Sequence, residues 1–587
     1  MNSFSDKKAC RLIYKKGDFI GQEYEIYDVL GMGGFGVVYL AYSHETKQVY
    51  ALKTFRDEYL EDAETRNRFR KEAHIWINLG NHPYLVRAYF VQEIQSRLYI
   101  IMQYIAPNEA GLNSLEGYLN RKPPDLAQSL RWGIQFCHGM EYAYSKGIRA
   151  HRDIKPANIM IGQDKTIKIS DFGLAGVLAT SSKVSRINLS IQRNLIGLSC
   201  QKTEGIGFGT PTHMPSEQFS NAADCNEKSD IYSFGVVLYQ MATGGRFPFF
   251  APLPKNNSKE EGLRFWWAMY KLQKESPLAK VKSPIFPVIQ HCLEKEPSDR
   301  YITFKDLRSD LEVLLREETG EIIKPQEIEE LKEWDWYNKG TSLVNLSRLE
   351  EGMTCYDRIL DVNPQYVHAW LGKGVIFAKM GRSDEAFQCF NKALTIDPID
   401  TWTWCNKGVS LADLGRFDEA TQCFNKALEI DPQNPYIWRS KGSSLCDRGR
   451  FDEAIQCFDR ALKIDSRDFV AWYDKGTILQ NLGRFDEAIQ CFDKAIEIYP
   501  LDAYAFNNKG VSLYSLGRLD EAVRSYNRAL EIDEKYEIAW YNKALSEDSI
   551  GRKPDAVYSF KKFISLAVVG QTKEIQYAQR RLQKLEE

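Results

Sequence analysis

The sequence lacks any apolar run near the roughly 20 residues that a membrane-spanning helix needs, and its opening MNSFSDKKACRLIYKK has no signal-peptide core. Charge of one sign is also lacking. Its 77 Lys and Arg against 79 Asp and Glu leave a formal −2, too little for a bulk pull toward nucleic acid or anionic lipid. Among 12 cysteines and 8 histidines there is no CxxC pair and no cluster with zinc spacing, which argues against a structural metal. The expectation is a cytoplasmic protein with reduced thiols, no membrane span and no nucleic-acid partner. What is present, 43% hydrophobic and 27% charged residues over 587 positions, suits a globular chain of several domains.

The two halves differ in pattern. In the first, β-branched and aromatic stretches (Tyr24 to Tyr42, Val49 to Thr54, Leu98 to Tyr104) predict strands, and Phe69 to Leu79 and Ser229 to Met241 predict helices. A charged stretch, Arg316 to Glu333, reads as a linker. Beyond it Gly340, Gly374, Gly408, Gly442, Gly476 and Gly510 recur every 34 residues, with Ala544 in the seventh place. Trp336, Trp370, Trp404, Trp438, Trp472, Phe506 and Trp540 keep the same period, as do Ala386, Ala420, Ala454, Ala488, Ala522 and Ala556.

This second half resembles the tetratricopeptide repeat, two antiparallel helices per unit of about 34 residues. Small residues at fixed places let the helices approach, aromatic ones fill between pairs, and Pro364, Pro398, Pro432 and Pro500 end the second helix of their units. Ser466 and Glu534 stand where proline is missing, so softer stops are expected there. The first unit departs most, with Ser347, Gly352 and Ile359 at usual glycine and alanine positions, as terminal repeats often do. Cys355, Cys389, Cys423, Cys457 and Cys491 follow the period too. Stacked equivalents lie about 8–10 Å apart, beyond disulfide reach, so they read as small buried hydrophobes rather than a metal or redox ladder.

Several motifs in the first half carry chemistry. GMGGFG, Gly31 to Gly36, sits between two predicted strands, where glycine lets backbone N–H groups approach phosphate oxygens. A dinucleotide fingerprint would need a helix after it. VYALK puts Lys53 at the end of an apolar strand, and a carboxylate partner is expected from the next helix: Glu72 in FRKEAHIW, or Glu64. Then follow HRDIKPAN (His151 to Asn158), DFG (Asp171 to Gly173), GTPTHMPSEQ, DIYSFG (Asp230 to Gly235) and EPSDRY with Arg300.

In that order these motifs resemble the eukaryotic-like serine/threonine protein kinases over about Tyr24 to Glu318. The resemblance implies an α+β bilobal kinase fold followed by an all-α tetratricopeptide-repeat superhelix, and ATP and Mg2+ as the small molecules used. It implies that Gly31, Gly33, Gly34, Gly36, Val38 and Ala51 line the ATP site, with Met102 as gatekeeper and Gln103, Tyr104 and Ile105 as hinge. Lys53, held by Glu72, meets the α- and β-phosphates, while Asn158 and Asp171 bind magnesium. Asp153 takes or orients the proton of the substrate hydroxyl, and Lys155 stabilises the moving phosphoryl group. Lys155 in DIKPAN and Thr210 in GTP resemble the serine/threonine class.

Two departures stand out. Pro215-Ser216-Glu217 replaces the family's APE, leaving Glu217 to pair with Arg300, and the segment from Asp171 to Glu217 is long. Arg152, beside Asp153, suggests a switch read by a phosphate, with Thr203 and then Ser199 as candidate acceptors; the alternative is an arginine packed on carbonyls. The division expected is a leader over 1–23, a kinase domain over 24–318, a linker over 319–332, seven repeats over 333–569 and a capping helix over 570–587. Protein partners are expected on the inward face of the first helices, at Tyr436, Arg439 and Tyr473. The rival readings are a nucleotide-binding scaffold, opposed by the presence of Lys53, Asp153, Asn158 and Asp171, and a small-molecule kinase.

Overall fold

The computed structural model describes residues 14–32, 36–56, 63–94, 97–172, 211–220, 224–252, 259–328, 330–567 and 572–586. The chain divides into two compact units, Met1–Asp361 and Val362–Glu587. The boundary falls at the end of the first helix pair of the expected array, so that pair belongs to the first unit.

The first unit opens with a twisted antiparallel sheet. Its strands are β1 (Phe19–Ile20), β2 (Tyr24–Met32), β3 (Gly36–Ser43), β4 (Gln48–Phe55), β5 (Ala88–Ile94) and β6 (Arg97–Gln103), in the order β1-β2-β3-β4-β6-β5. Alternate residues of β3 (Val37, Tyr39, Ala41) point into one apolar cluster with Tyr24, Ile26 and Tyr99, the period-two pattern of a strand with one buried face. Helix α1 (Ala63–Leu79) puts Phe69, Ala73 and Trp76 into a second apolar cluster with Ala51, Phe55 and Val91 of the sheet.

The rest of the unit is mainly helical: α2 (Leu115–Arg121), α3 (Leu126–Ser145), α4 (Ser216–Ser220), α5 (Glu227–Thr243), α6 (Lys259–Glu275), α7 (Phe286–Cys292) and α8 (Phe304–Thr319). Local chemistry sets the ends of these helices. Asn226 and Ser229 form a capping box at the start of α5, Thr303 and Asp306 do so for α8, and Gly244 and Gly320 close both in the left-handed conformation. Phe304, Leu307, Leu311 and Leu315 give α8 one apolar stripe. Phe136 of α3 stacks on Phe234 of α5 at 3.9 Å. A short hairpin, β7 (Ile159–Ile161) with β8 (Ile167–Ile169), lies between α3 and α4 in the chain. Two further helices, α9 (Glu333–Asn345) and α10 (Leu349–Val362), complete the pair that packs with this unit.

The second unit is a run of helix pairs, Val367–Lys379 with Ser383–Ile396 being the first and Glu537–Ile550 with Lys553–Leu566 the last. A Cβ at Gly374 would lie 2.4 Å from Phe390 and one at Gly510 2.5 Å from Tyr526, so the periodic glycine is where the aromatic of the second helix enters. The tight turn of each pair needs positive φ, supplied by Gly381 and its equivalents; in the first pair Ser347 takes that conformation with φ 62°. The five periodic cysteines are buried, and burial pushes the Cys355, Cys423, Cys457 and Cys491 thiols up.

The softer stops are not seen. Second helices end at Ile464 and Ile532 just as they end at Ile396 and Ile430. The Trp472 and Trp540 indoles donate to the carbonyls of Ser466 and Glu534 at 3.0 and 2.9 Å, as Trp404 donates to that of Pro398 at 2.9 Å. A carbonyl is present whatever the side chain, so proline is not needed to fix the turn. The final helix, Thr572–Glu586, buries Ala578 and lays Leu582 and Leu585 against the apolar cluster that includes Phe560 and Phe563.

Candidate active site

Four stretches of chain converge at the site. Lys53 sits near the end of β4, in register with Val38 on one side and Ile100 on the other. Its Nζ lies 2.5 Å from Glu72 Oε1 on α1 and 2.7 Å from Asp171 Oδ1 beyond β8. Burial opposes the Lys53 ammonium, but the Asp171 and Glu72 carboxylates outweigh it and raise its pKa. Burial likewise pushes the Glu72 carboxyl up, against the pull of Lys53. For Asp171 burial loses to Lys53, helped by Lys155 and His151, and the carboxyl is held well below its usual range.

The loop from His151 to Asn158 carries the second group. Lys155 Nζ lies 2.9 Å from Asp153 Oδ2, and Asn158 Nδ2 donates to the same oxygen at 3.0 Å and to the Asp153 carbonyl at 2.8 Å. Asp153 is mostly buried, which pushes its carboxyl up while Lys155 pulls it down. Among the described residues nothing hydrogen-bonds its Oδ1. One oxygen is therefore held by Lys155 and Asn158, and the other is buried without a hydrogen-bond partner among the described residues.

Sequence reasoning named DIYSFG but gave Asp230 no task. Its carboxylate accepts the backbone N–H of His151 at 2.5 Å, that of Arg152 at 2.9 Å and the Tyr144 hydroxyl at 2.5 Å. Arg152 and Asp171 both hold positive φ, 67° and 64°, strain of the kind found where surroundings over-determine the backbone. A ring column was also missed: His151 lies 4.6 Å from Phe172, whose ring meets Trp76 of α1 edge-on at 5.3 Å. The aromatic HIW and DF positions were its only signal in the sequence.

The remaining predicted positions are placed as follows. Ala51 pairs with Met102 across β4 and β6, and the Gln103 N–H donates to the Arg87 carbonyl at 2.8 Å. Tyr104 is half-buried and Ile105 buried, its carbonyl accepting from Asn113 Nδ2 at 3.0 Å. Gly31 ends in open space, whereas a Cβ at Gly36 would strike the Thr54 carbonyl at 2.9 Å. Gly33, Gly34, Ser199, Thr203 and Thr210 lie outside the described residues. Arg152 is buried, which lowers its pKa, and its carbonyl accepts from Gln218 at 2.8 Å. Glu217 and Arg300 pair at 2.6 Å, with the Arg300 side chain 0% exposed. In the second unit Arg439 lies 3.2 Å from Asp468 and 5.1 Å over the Tyr436 ring, and the Tyr473 hydroxyl accepts from Asn508 at 3.0 Å.

Comparison with known proteins agrees with this layout. Residues 24–310 match the protein kinase domain family. Residues 336–366, 367–400, 401–434, 423–456 and 473–537 match tetratricopeptide repeat families, and 442–483 match a TPR repeat family. The serine/threonine-protein kinase PknD of Chlamydia abortus is 29% identical over 308 residues, 50% of this chain and 31% of its own length. PknB of Mycobacterium leprae is 29% identical over 302 residues, 50% and 43%. PrkC of Bacillus subtilis is 32% identical over 300 residues, 50% and 41%. The chain thus spans less than half the length of these relatives. Among the described residues no helix is long and apolar enough to cross a membrane.

Proposed function

We propose, for a chain that belongs to the protein kinase family through residues 24–310 and continues into tetratricopeptide repeats, a serine/threonine protein kinase that moves the γ-phosphoryl group of ATP onto protein hydroxyls. The repeats recruit protein substrates or regulators, and the protein works in the cytoplasm. The observation that carries this reading is Lys53 held between Glu72 and Asp171 beside an Asp153 with one buried oxygen that has no hydrogen-bond partner among the described residues.

The chain's own residues divide the work. Lys53, fixed by Glu72, offers its ammonium to the α- and β-phosphates. Gly31 and Gly36, near the facing ends of β2 and β3, leave room for them, with Val38, Ala51, Met102 and the hinge Gln103, Tyr104 and Ile105 enclosing the base. Asp153 uses Oδ2 to hold Lys155 and Asn158, which leaves Oδ1 to accept the proton of a serine or threonine hydroxyl. Lys155 lies where charge develops on the transferred group. The donor set fits a hard divalent ion: Asp171 stays anionic, and Asn158, its Nδ2 already used, has an amide oxygen to offer. Magnesium bound there would neutralise phosphate charge and orient the γ-phosphoryl group.

Incubation with labelled ATP, magnesium and a generic basic protein tests the reading. Label on serine and threonine of the added protein is expected. A nucleotide-binding scaffold would transfer nothing, and a small-molecule kinase would leave the protein unlabelled. A switch through Arg152 would add phosphate between Ser181 and Thr212, at Thr203 or Ser199, and phosphatase would slow the enzyme. A fully active enzyme without phosphate there would retire the switch.

A further inference from the structure

Asp335 breaks the pattern of the array. At each 34-residue step the same position holds Ala369, Thr403, Ile437, Ala471, Ala505 and Ala539, none more than 1% exposed. That position lies on the first helix of each pair, and small or apolar side chains there suit close contact with a neighbouring helix. The first pair has no pair before it, and the catalytic unit stands in that place. Asp335 is ion-paired with Arg87, whose guanidinium lies 5.0 Å over the Tyr89 ring and whose carbonyl holds the Gln103 N–H of the hinge.

The contact continues along β5, an edge strand with outward backbone groups to satisfy. Ser342, 0% exposed, accepts the Val91 N–H on its Oγ at 2.8 Å, and Asn345 Nδ2 donates to the Val91 carbonyl at 2.9 Å. Leu343, Leu346 and Cys355 share one apolar cluster with Val91, Trp76 and Ile77. On α1, two residues from Glu72, His74 Nε2 lies 3.0 Å from Glu351 of α10 and 2.9 Å from Asn78. The helix that carries Glu72 is thus bounded by the ATP site on one side and the first repeat pair on the other.

We propose that the first repeat pair is a positioning element of the kinase, a brace that holds α1 and β5 from behind and so keeps Glu72 on Lys53. Asp335, Ser342, Asn345 and Glu351 are its positioning residues. Without the brace α1 loses its outer contacts, and the Lys53–Glu72 ion pair is populated less of the time. The inference rests on the kinase reading given above.

The test uses the full chain and Asp335→Ala/Asn345→Ala, the first change installing the residue that the repeats themselves prefer. Transfer rates at varied ATP are measured in the natural background and in a Glu72→Gln background. About tenfold loss of kcat/KM for ATP is expected in the first and less than about twofold in the second, where the braced group is already gone. Equal losses in both, or none in either, would overturn the brace and leave a purely structural contact. If circular dichroism finds that the double variant does not fold, Glu351→Lys decides by the same comparison, since the Glu351 side chain is 40% exposed and the substitution sets a cation beside His74. An unaltered chain without any transfer sinks the kinase reading and the brace with it; transfer that ignores the variants sinks the brace alone.

Discussion

The Asp230 carboxylate accepts the backbone N–H of Arg152 at 2.9 Å, so α5 fixes a left-handed residue next to Asp153. The same carboxylate also takes the His151 N–H and the Tyr144 hydroxyl. Asp230→Asn presents an amide N–H to donors and breaks part of this hub. Each hydrogen bond to a charged group is worth about 1.5–3 kcal/mol, so urea melts should lose roughly 2 kcal/mol. Initial rates should fall by about tenfold or more as the loop loosens. Wild-type rates in a stable Asp230→Asn protein would show that the loop is held by other contacts.

Acid should weaken the catalytic unit through buried histidines. Burial pushes His213 down to about 4, with its Gln240 bond working against and Lys155 adding to the shift. His82 is lowered to about 4 by burial, then His138 and Lys168. A histidine with depressed pKa resists protonation only when folded, so the unfolded chain binds more protons between about 4 and 6.5. Stability is full above about pH 6.5 and is lost as pH falls toward 4, by about 3 kcal/mol for each fully buried ring. Denaturation across that range should give a shallower pH slope for His213→Gln than for the unaltered protein. Parallel slopes would count against His213 as a source.

In the array, Gly374→Ala should destabilise by about 1–3 kcal/mol, since the new methyl meets Phe390 at 2.4 Å. Ala544 occupies the equivalent place in the last pair and is fully buried there, so the cost of the methyl depends on how far the facing ring can give. Melting of the isolated change against Gly381→Ala, which strains a positive φ of 73° instead, separates crowding from backbone cost.

The partner surface is tested by Tyr436→Ala/Arg439→Ala/Tyr473→Ala. Capture of proteins by the full chain should weaken, with phosphorylation of a generic substrate unchanged. The Arg439–Asp468 and Tyr473–Asn508 contacts predict a modest stability loss as well, so circular dichroism melts accompany the assay. Undiminished capture of every partner places the surface elsewhere.

The sequence was most readable where chemistry restricts residue type. Lys53, Asp153, Asn158 and Asp171 stand out without coordinates because VYALK, HRDIKPAN and DFG carry charged and amide side chains in a fixed order, and the structure joins Lys53 to Asp171 and Asp153 to Asn158. The 34-residue period was equally legible, because a glycine at 374 leaves the room into which the ring at 390 packs. Less legible was what depends on fold rather than residue type. Asp230 works through two backbone N–H groups nearly 80 positions away, and backbone donors leave no trace in a sequence. The His151–Phe172–Trp76 column uses rings that look like ordinary core. The first repeat pair joins the array by its period, while its partner is β5; Asp335, where later pairs carry Ala, Thr or Ile, marks this beside the departures at Ser347, Gly352 and Ile359.

The most direct test of the central claim is the rate of phosphoryl transfer by Asp171→Asn beside the unaltered protein, with Lys53→Met as a companion. Both should fold, since neither residue lies in the apolar core. Loss of one charged contact to phosphate or metal removes several kcal/mol of transition-state stabilisation, so transfer should fall by about a thousandfold or more. Near-normal transfer by Asp171→Asn would contradict the account.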